Sequence, residues 1–249
     1  MTYRYQIIME YDGAEFCGWQ RQAHGRSIQG VLEQALQPLN GGQPPTVIGA
    51  GRTDSGVHAL AQVAHFDLLT ERDAQVVQRA LNATTPDALQ VLLCRRVPPT
   101  FHARFDARRR YYAYVIRRQR AVHRRHTCWT PAFDLDPQLL AECAALLPGR
   151  HDFTCFCSRR DSARTKLCNI VQADWTLAPD EYRFHIAANR FLHSMVRMLV
   201  GTMTEVARGR GTPAQFKNML DNQTPALQVY TAPARGLFLL KIDYDEEAT

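Results

Sequence analysis

The sequence predicts an α+β fold made of two ferredoxin-like β-α-β-β-α-β units whose antiparallel or mixed sheets join. Three observations predict it. Strand-like and helix-like periods alternate in that order through residues 1–106, and the same order returns, with one extra helix, through 107–249. The 249 residues are 45% apolar and 22% charged, enough to give each half a core of its own.

In the first half, residues 3–11 place Tyr3, Tyr5, Ile7, Met9 and Tyr11 on one face, the period-2 pattern of a strand. Ser27 is placed to cap a helix that carries Ile28, Val31, Leu32, Ala35, Leu36 and Leu39 at helical spacing, and Asn40-Gly41-Gly42 ends it. A short strand around Thr46–Ala50 leads to a glycine-flanked loop and then a strand near Gln62–Leu68. Thr70, with Asp73 three residues on, is expected to cap a second helix through Val76, Val77, Ala80 and Leu81. Ala88–Val97 reads as the closing strand.

In the second half, Arg109–Arg118 is a strand of alternating tyrosines and arginines. Asp136-Pro137 opens a helix by cap and first-turn proline, with Gly149 expected at its end. Leu167–Leu177 and Glu181–Ala188 form a hairpin-like pair about Pro179-Asp180. A long apolar helix is expected over about Phe191–Ala207, another from Thr212-Pro213, and a last strand over Gly236–Tyr244.

No stretch approaches the ~20 apolar residues of a membrane span, and the opening MTYRYQIIMEY shows no export signal, so the expected compartment is the cytoplasm. The seven cysteines are odd in number and scattered, which reads as reduced thiols rather than a disulfide framework. Cys155-x-Cys157 with His151 and Cys168 lacks the paired spacing of a closed zinc site, and no metal is expected.

The net charge of +6 is localised. Residues 104–125 carry nine arginines against Asp106 alone, while the flanking stretches nearly balance. Arg159, Arg160, Arg164 and Lys166 form a smaller cluster. A one-sign arginine block of this density points to a polyanion, and a phosphate backbone fits best.

Three segments could carry chemistry. The run Gly49-Ala50-Gly51-Arg52-Thr53-Asp54-Ser55-Gly56-Val57-His58 offers backbone freedom around a carboxylate. Its spacing fits neither a dinucleotide loop nor a nucleophile elbow. Spacing alone leaves Asp54 as either an Asx-turn residue or a reactive acid, and His58 as a structural hydrogen-bonder or a base. Arg197 stands in a helix apolar on nearly every side, where it must snorkel, hold a carbonyl, or pair a buried carboxylate such as Asp54. In Arg110-Tyr111-Tyr112-Ala113-Tyr114-Val115, Tyr112 and Tyr114 share a strand face. Aromatics among arginines suit base stacking, though tyrosines also fill strand cores. The RNA-recognition consensus is met only in part, since Tyr111 and Arg117 stand where it needs glycine and an aromatic.

Taken together, these segments resemble the tRNA pseudouridine synthase A (TruA) family. The resemblance extends through Tyr11-Asp12-Gly13, Phe16-x-Gly18-Trp19-Gln20-x-Gln22, Ser27-Ile28-Gln29-Gly30-x-Leu32-Glu33, Gly51 to Ala59, Phe101-His102-Ala103-Arg104-Phe105, His151-Asp152-Phe153, Phe191 to Arg197, and Thr231-Ala232-Pro233-Ala234-x-Gly236-Leu237. Ser55 stands where the family often has alanine. The resemblance implies the pseudouridine synthase fold, and isomerisation of uridine at positions 38, 39 and 40 of the tRNA anticodon stem-loop. It implies Asp54 as the catalytic aspartate and Arg52 as holding RNA with the target base extruded. Tyr112 would stack on the uracil and take part in proton transfer, and Arg197 would pair with Asp54. It further implies a homodimer with no cofactor and no membrane partner. The alternative is a non-catalytic RNA-binding protein on the same doubled fold, which leaves Asp54 and Arg197 without a task.

Overall fold

The computed structural model describes residues 2–159, 161–222 and 224–245. The chain forms two compact units. One holds the residues up to Arg108 together with those from Leu239 onward, and the other is Arg109–Phe238.

The first unit runs β1 (Tyr3–Tyr11), α1 (Ile28–Leu36), β2 (Ile48–Gly49), β3 (His58–Leu68), α2 (Ala74–Thr84) and β4 (Leu89–Arg96). β1 lies between β3 and β4, antiparallel to both, and β2 pairs the opposite edge of β3. The resulting order β4-β1-β3-β2 is that of a ferredoxin-like split unit. Period-2 patterning explains the layers: Tyr5, Ile7 and Met9 are fully buried, with Ile28, Leu32, Leu36, Val77 and Leu81 of the two helices. On the other sheet face, Ile8 and Val63 meet Ala50, Val97, Phe101, Ala103 and Ala107.

Ser27 caps α1 by accepting the Gly30 N–H at 3.2 Å. The cap of α2 is Asp73, which takes the Gln75 and Val76 N–H groups, and not Thr70 as the spacing suggested. The reason lies in β1: the Tyr5 hydroxyl bonds both the carbonyl and the N–H of Arg72 at 2.7 Å, which holds residues 70–72 out of the helix. The outer edge of β4 is covered by side chains from α2. Asn82 both donates to and accepts from the Val91 backbone, and Gln78 donates to the Val91 and Leu92 carbonyls.

The second unit runs β5 (Arg109–Arg117), α3 (Pro137–Ala145), β6 (Gly149–Asp152), β7 (Leu167–Leu177), β8 (Glu181–Ala188), α4 (Met195–Ala207) and α5 (Pro213–Asn222). Along β9 (Leu237–Asp243) the chain passes back to the first unit. Strands β5-β8-β7-β6 follow one another, each pair antiparallel. Leu140, Cys143, Phe153, Phe156, Phe184, Leu199, Met203 and Phe216 form its core. Two details differ from the sequence reading. Gly149 opens an edge strand, with φ of 113°, and does not simply end α3. The apolar run from Phe191 becomes helical only at Met195, because the Asn189 and His193 backbones are bonded elsewhere and Ser194 takes a left-handed conformation. Among the described residues, no helix is long and apolar enough to cross a membrane.

Candidate active site

Asp54 is the first residue of a tight turn whose corners are Ser55 and Gly56. The Val57 N–H donates to the Asp54 carbonyl at 3.1 Å, and Gly56 has φ of 79°. A positive φ at the third residue alone defines a type II turn, where glycine is the low-strain choice. The turn is thus closed main chain to main chain. Burial alternates along the approach: Arg52 is exposed, Thr53 buried and Asp54 half-buried.

What holds this loop is a buried polar set that the sequence reading did not single out. The Thr53 hydroxyl and the Tyr11 hydroxyl bond at 2.9 Å. Gln62 donates to the Tyr11 oxygen at 3.4 Å and to the Gly51 carbonyl at 2.9 Å. Burial pushes the Tyr11 phenol up to about 12, against the lowering pull of Thr53 and Gln62, so it stays protonated as a fixed member of the set. From below, the Trp19 N–H donates to the Thr53 carbonyl at 3.0 Å. Gly18 passes so close that a Cβ there would stand 2.8 Å from the same oxygen. These contacts give the Tyr11-Asp12-Gly13 and Gly18-Trp19 segments a physical role as the platform of the loop. His58 belongs to that platform too: it is 3% exposed, and its Nδ1 accepts the Gly13 N–H at 3.1 Å.

In the second unit, Tyr112 lies in β5 opposite Ile186 of β8. It is 8% exposed, with the Phe191 ring edge-on at 5.1 Å. Tyr114 is core: it is fully buried, its hydroxyl donates to the Pro233 carbonyl at 2.7 Å, and burial raises its pKa well above the usual phenol value. Arg197 stands in the first turn of α4 and is half-buried. Its Nε donates to the Ala232 carbonyl at 2.9 Å, and its own carbonyl accepts the Ala232 N–H at 3.0 Å. Holding a carbonyl was one of the roles its sequence context allowed.

The arginine block divides between the units at Arg108 and Arg109, and several members are engaged within the protein. Arg108 pairs Asp245, and Arg110, 9% exposed, donates to the Asn189 carbonyl at 2.7 Å. Arg117 and Arg124, with Arg183, converge on Glu181. Arg109, Arg120 and Arg125 are exposed. Of the smaller cluster, Arg159 and Arg164 are exposed, Lys166 pairs Asp161, and Arg160 lies outside the described residues. Burial raises the thiols of Cys94 and Cys143 to about 12 and Cys168 to about 11, as expected of core cysteines.

Residues 7–106 and 143–245 match the tRNA pseudouridine synthase family. The chain is 42% identical over 248 residues to the tRNA pseudouridine synthase A of Cereibacter sphaeroides strain ATCC 17023, covering 97% of each. It is 42% identical over 244 residues to the protein of that name from Afipia carboxidovorans, covering 97% of this chain and 99% of the other. With that of Geobacillus kaustophilus it shares 37% identity over 250 residues, covering 99% and 96%.

Proposed function

Because the chain belongs to the tRNA pseudouridine synthase family, we propose that it isomerises uridine to pseudouridine at positions 38, 39 and 40 of the tRNA anticodon stem-loop, with Asp54 as the catalytic aspartate. The protein is an isomerase that acts on uridine in tRNA. The reaction breaks the C1′–N1 bond and joins C1′ to C5. The hydrogen on C5 leaves as a proton and N1 gains one, so atoms and oxidation state balance. One carboxylate, held in place and oriented by a cation, is chemistry enough for this rearrangement.

The placement of Asp54 carries the reading. A half-buried carboxylate stands at the start of a turn whose backbone is fixed by Val57, Trp19 and the Tyr11–Thr53–Gln62 set. Such fixing is what a reacting group needs, since small misplacements cost rate steeply. In this reading Arg197 pairs the Asp54 carboxylate. Its Nε is held by the Ala232 carbonyl at 2.9 Å, which orients the guanidinium within its own unit. Tyr112 takes the target uracil. A base inside a stem reaches it only after leaving its helix, at an unstacking cost of a few kcal/mol. Exposed Arg52, two residues from Asp54, suits the role of holding the RNA backbone while the base is out. The homodimeric state that the resemblance implies, and a cytoplasmic site of action, are part of the same proposal.

The test is tRNA labelled with tritium at uracil C5. The wild type releases label to water. Asp54→Ala releases none, while tRNA affinity stays within about threefold. An active Asp54→Ala overturns the assignment, and a wild type that binds without release makes this a binding protein.

A further inference from the structure

We infer that Asp161 is a positioning residue for the uridine isomerisation. Its carboxylate holds the segment 189–194 in the one conformation that braces Tyr112 with Phe191 and starts the helix bearing Arg197. The inference rests on the site reading just given. It concerns an aspartate in a basic loop that no motif singles out.

The segment between β8 and α4 is fixed at two points. At its start, the Asn189 side-chain oxygen accepts the Asn169 N–H at 2.9 Å, and the Asn189 carbonyl accepts from Arg110 at 2.7 Å. At its end, His193 is held on both sides of its backbone. Its N–H donates to Asp161 Oδ2 at 2.7 Å, and its carbonyl accepts the Ser158 N–H at 3.0 Å. Between these points Phe191 places its ring 5.1 Å from that of Tyr112, edge to face. Immediately after comes Ser194, with φ of 60° and ψ of 9°. It is the one described non-glycine residue with a positive φ. A left-handed serine persists where its surroundings over-determine it, and such residues cluster at functional sites. Arg197 follows within one helical turn.

Asp161 is built to hold. Its other oxygen accepts the Ala163 N–H at 2.8 Å and the Lys166 ammonium at 2.8 Å, and Lys166 also reaches the Asp161 carbonyl at 3.0 Å. The Asp161 N–H closes the loop onto the Ser158 carbonyl at 2.9 Å. Partial burial works to raise the Asp161 pKa, but the bonds from His193, Lys166 and Ala163 outweigh it and bring it to about 2. The clamp is therefore charged at every pH at which the enzyme would be assayed. Lys166 is tied to the body of the unit, since its carbonyl accepts the Phe153 N–H at 3.0 Å. The path from loop to site is short: Asp161 fixes His193, His193 fixes the left-handed turn, and the turn sets Phe191 and the first residues of α4.

Two readouts on the full-length protein test this. In hydrogen exchange, Asp161→Ala should speed exchange across 189–199 by about tenfold or more, with β1 and β3 unchanged. In C5-tritium release, kcat should fall at least about tenfold while KM and tRNA affinity stay within about threefold. Asp161→Asn keeps an oxygen for the His193 N–H but loses the ionic tie to Lys166, so it should fall between the two in both readouts. Should the alanine variant fail to fold, the asparagine variant decides: wild-type exchange and wild-type kcat in it would overturn the inference. Unchanged exchange in Asp161→Ala would also overturn it, as would weakened tRNA binding with normal kcat, which would make the loop an RNA contact only. The exchange readout does not depend on Asp54, so failure of the site reading would show separately, as activity in Asp54→Ala.

Discussion

Asp54 shows how far a single residue can be read from sequence. Its glycine neighbours and the composition of the loop marked it, but its support came from Thr53 and Gln62 bonded to Tyr11, which is distant from both in the chain. A buried side-chain bond between distant residues leaves no periodic trace, and Tyr11 looked like one more apolar position of β1. His65 was equally silent. It is 3% exposed, and its Nδ1 accepts the Ala103 N–H at 3.1 Å. Burial, helped by His102 and Arg4 and opposed by Asp67 and Asp106, lowers its pKa to about 4. Unfolding returns it to its ordinary value near 6.5. Between those values the unfolded chain binds the proton and the folded chain does not, so stability is lost as pH falls from about 6.5 towards 4. The melting temperature should therefore drop by about 2–5 °C between pH 7 and pH 5 on account of this group. His65→Asn keeps an acceptor for Ala103 without a titrating ring, and should flatten that part of the profile. An equal drop in wild type and variant would show that His65 does not contribute.

At the scale of elements, periodicity placed most strands and helices, and its failures share one cause. Thr70 does not cap α2 because the Tyr5 hydroxyl takes both backbone groups of Arg72. Helix α4 begins four residues after the apolar run does because Phe191 and Leu192 are apolar for packing of their own. In each case a tertiary bond overrides a local pattern. Gly201 is a further instance, a mid-helix glycine that propensity alone counts as a defect. A Cβ there would stand 1.9 Å from the Tyr230 carbonyl oxygen, closer than any packing adjustment within the helix can absorb. The bare backbone lets residues 230–232 lie against α4, which brings Ala232 into its paired bonds with Arg197. Gly201→Ala should gain slightly in helix propensity yet lose about 1–3 kcal/mol overall from overpacking. Its tritium release should fall further than its melting temperature suggests, because the displaced segment 230–232 carries the carbonyl that orients Arg197. A variant as stable and as active as wild type would show that this crossing is not tight in solution.

At the scale of the whole molecule, net charge is a poor guide to where RNA binds. The arginine block read as one basic surface, because sequence shows charges but not their partners. In the fold, Glu181 receives Arg117, Arg124 and Arg183, and Arg110 is spent on the Asn189 carbonyl. These are structural cations, and removing one leaves a half-buried carboxylate or carbonyl short of a donor. Arg120 and Arg125 are exposed on the turn that follows β5, where a phosphate can reach them. The two groups should separate in a salt titration. Each phosphate contact adds about 0.7–0.9 to the slope of log affinity for tRNA against log salt. Replacing both Arg120 and Arg125 with Gln should therefore flatten the slope by about 1.4–1.8 if each meets one phosphate, with the melting temperature unchanged. Arg117→Gln should do the reverse, lowering the melting temperature and leaving the slope alone. If instead the Arg120 and Arg125 pair leaves the slope intact, the phosphates must be met by other cations. Exposed Arg159 and Arg164 would then be the next pair to neutralise, on a loop that Asp161 already ties to the turn before Arg197.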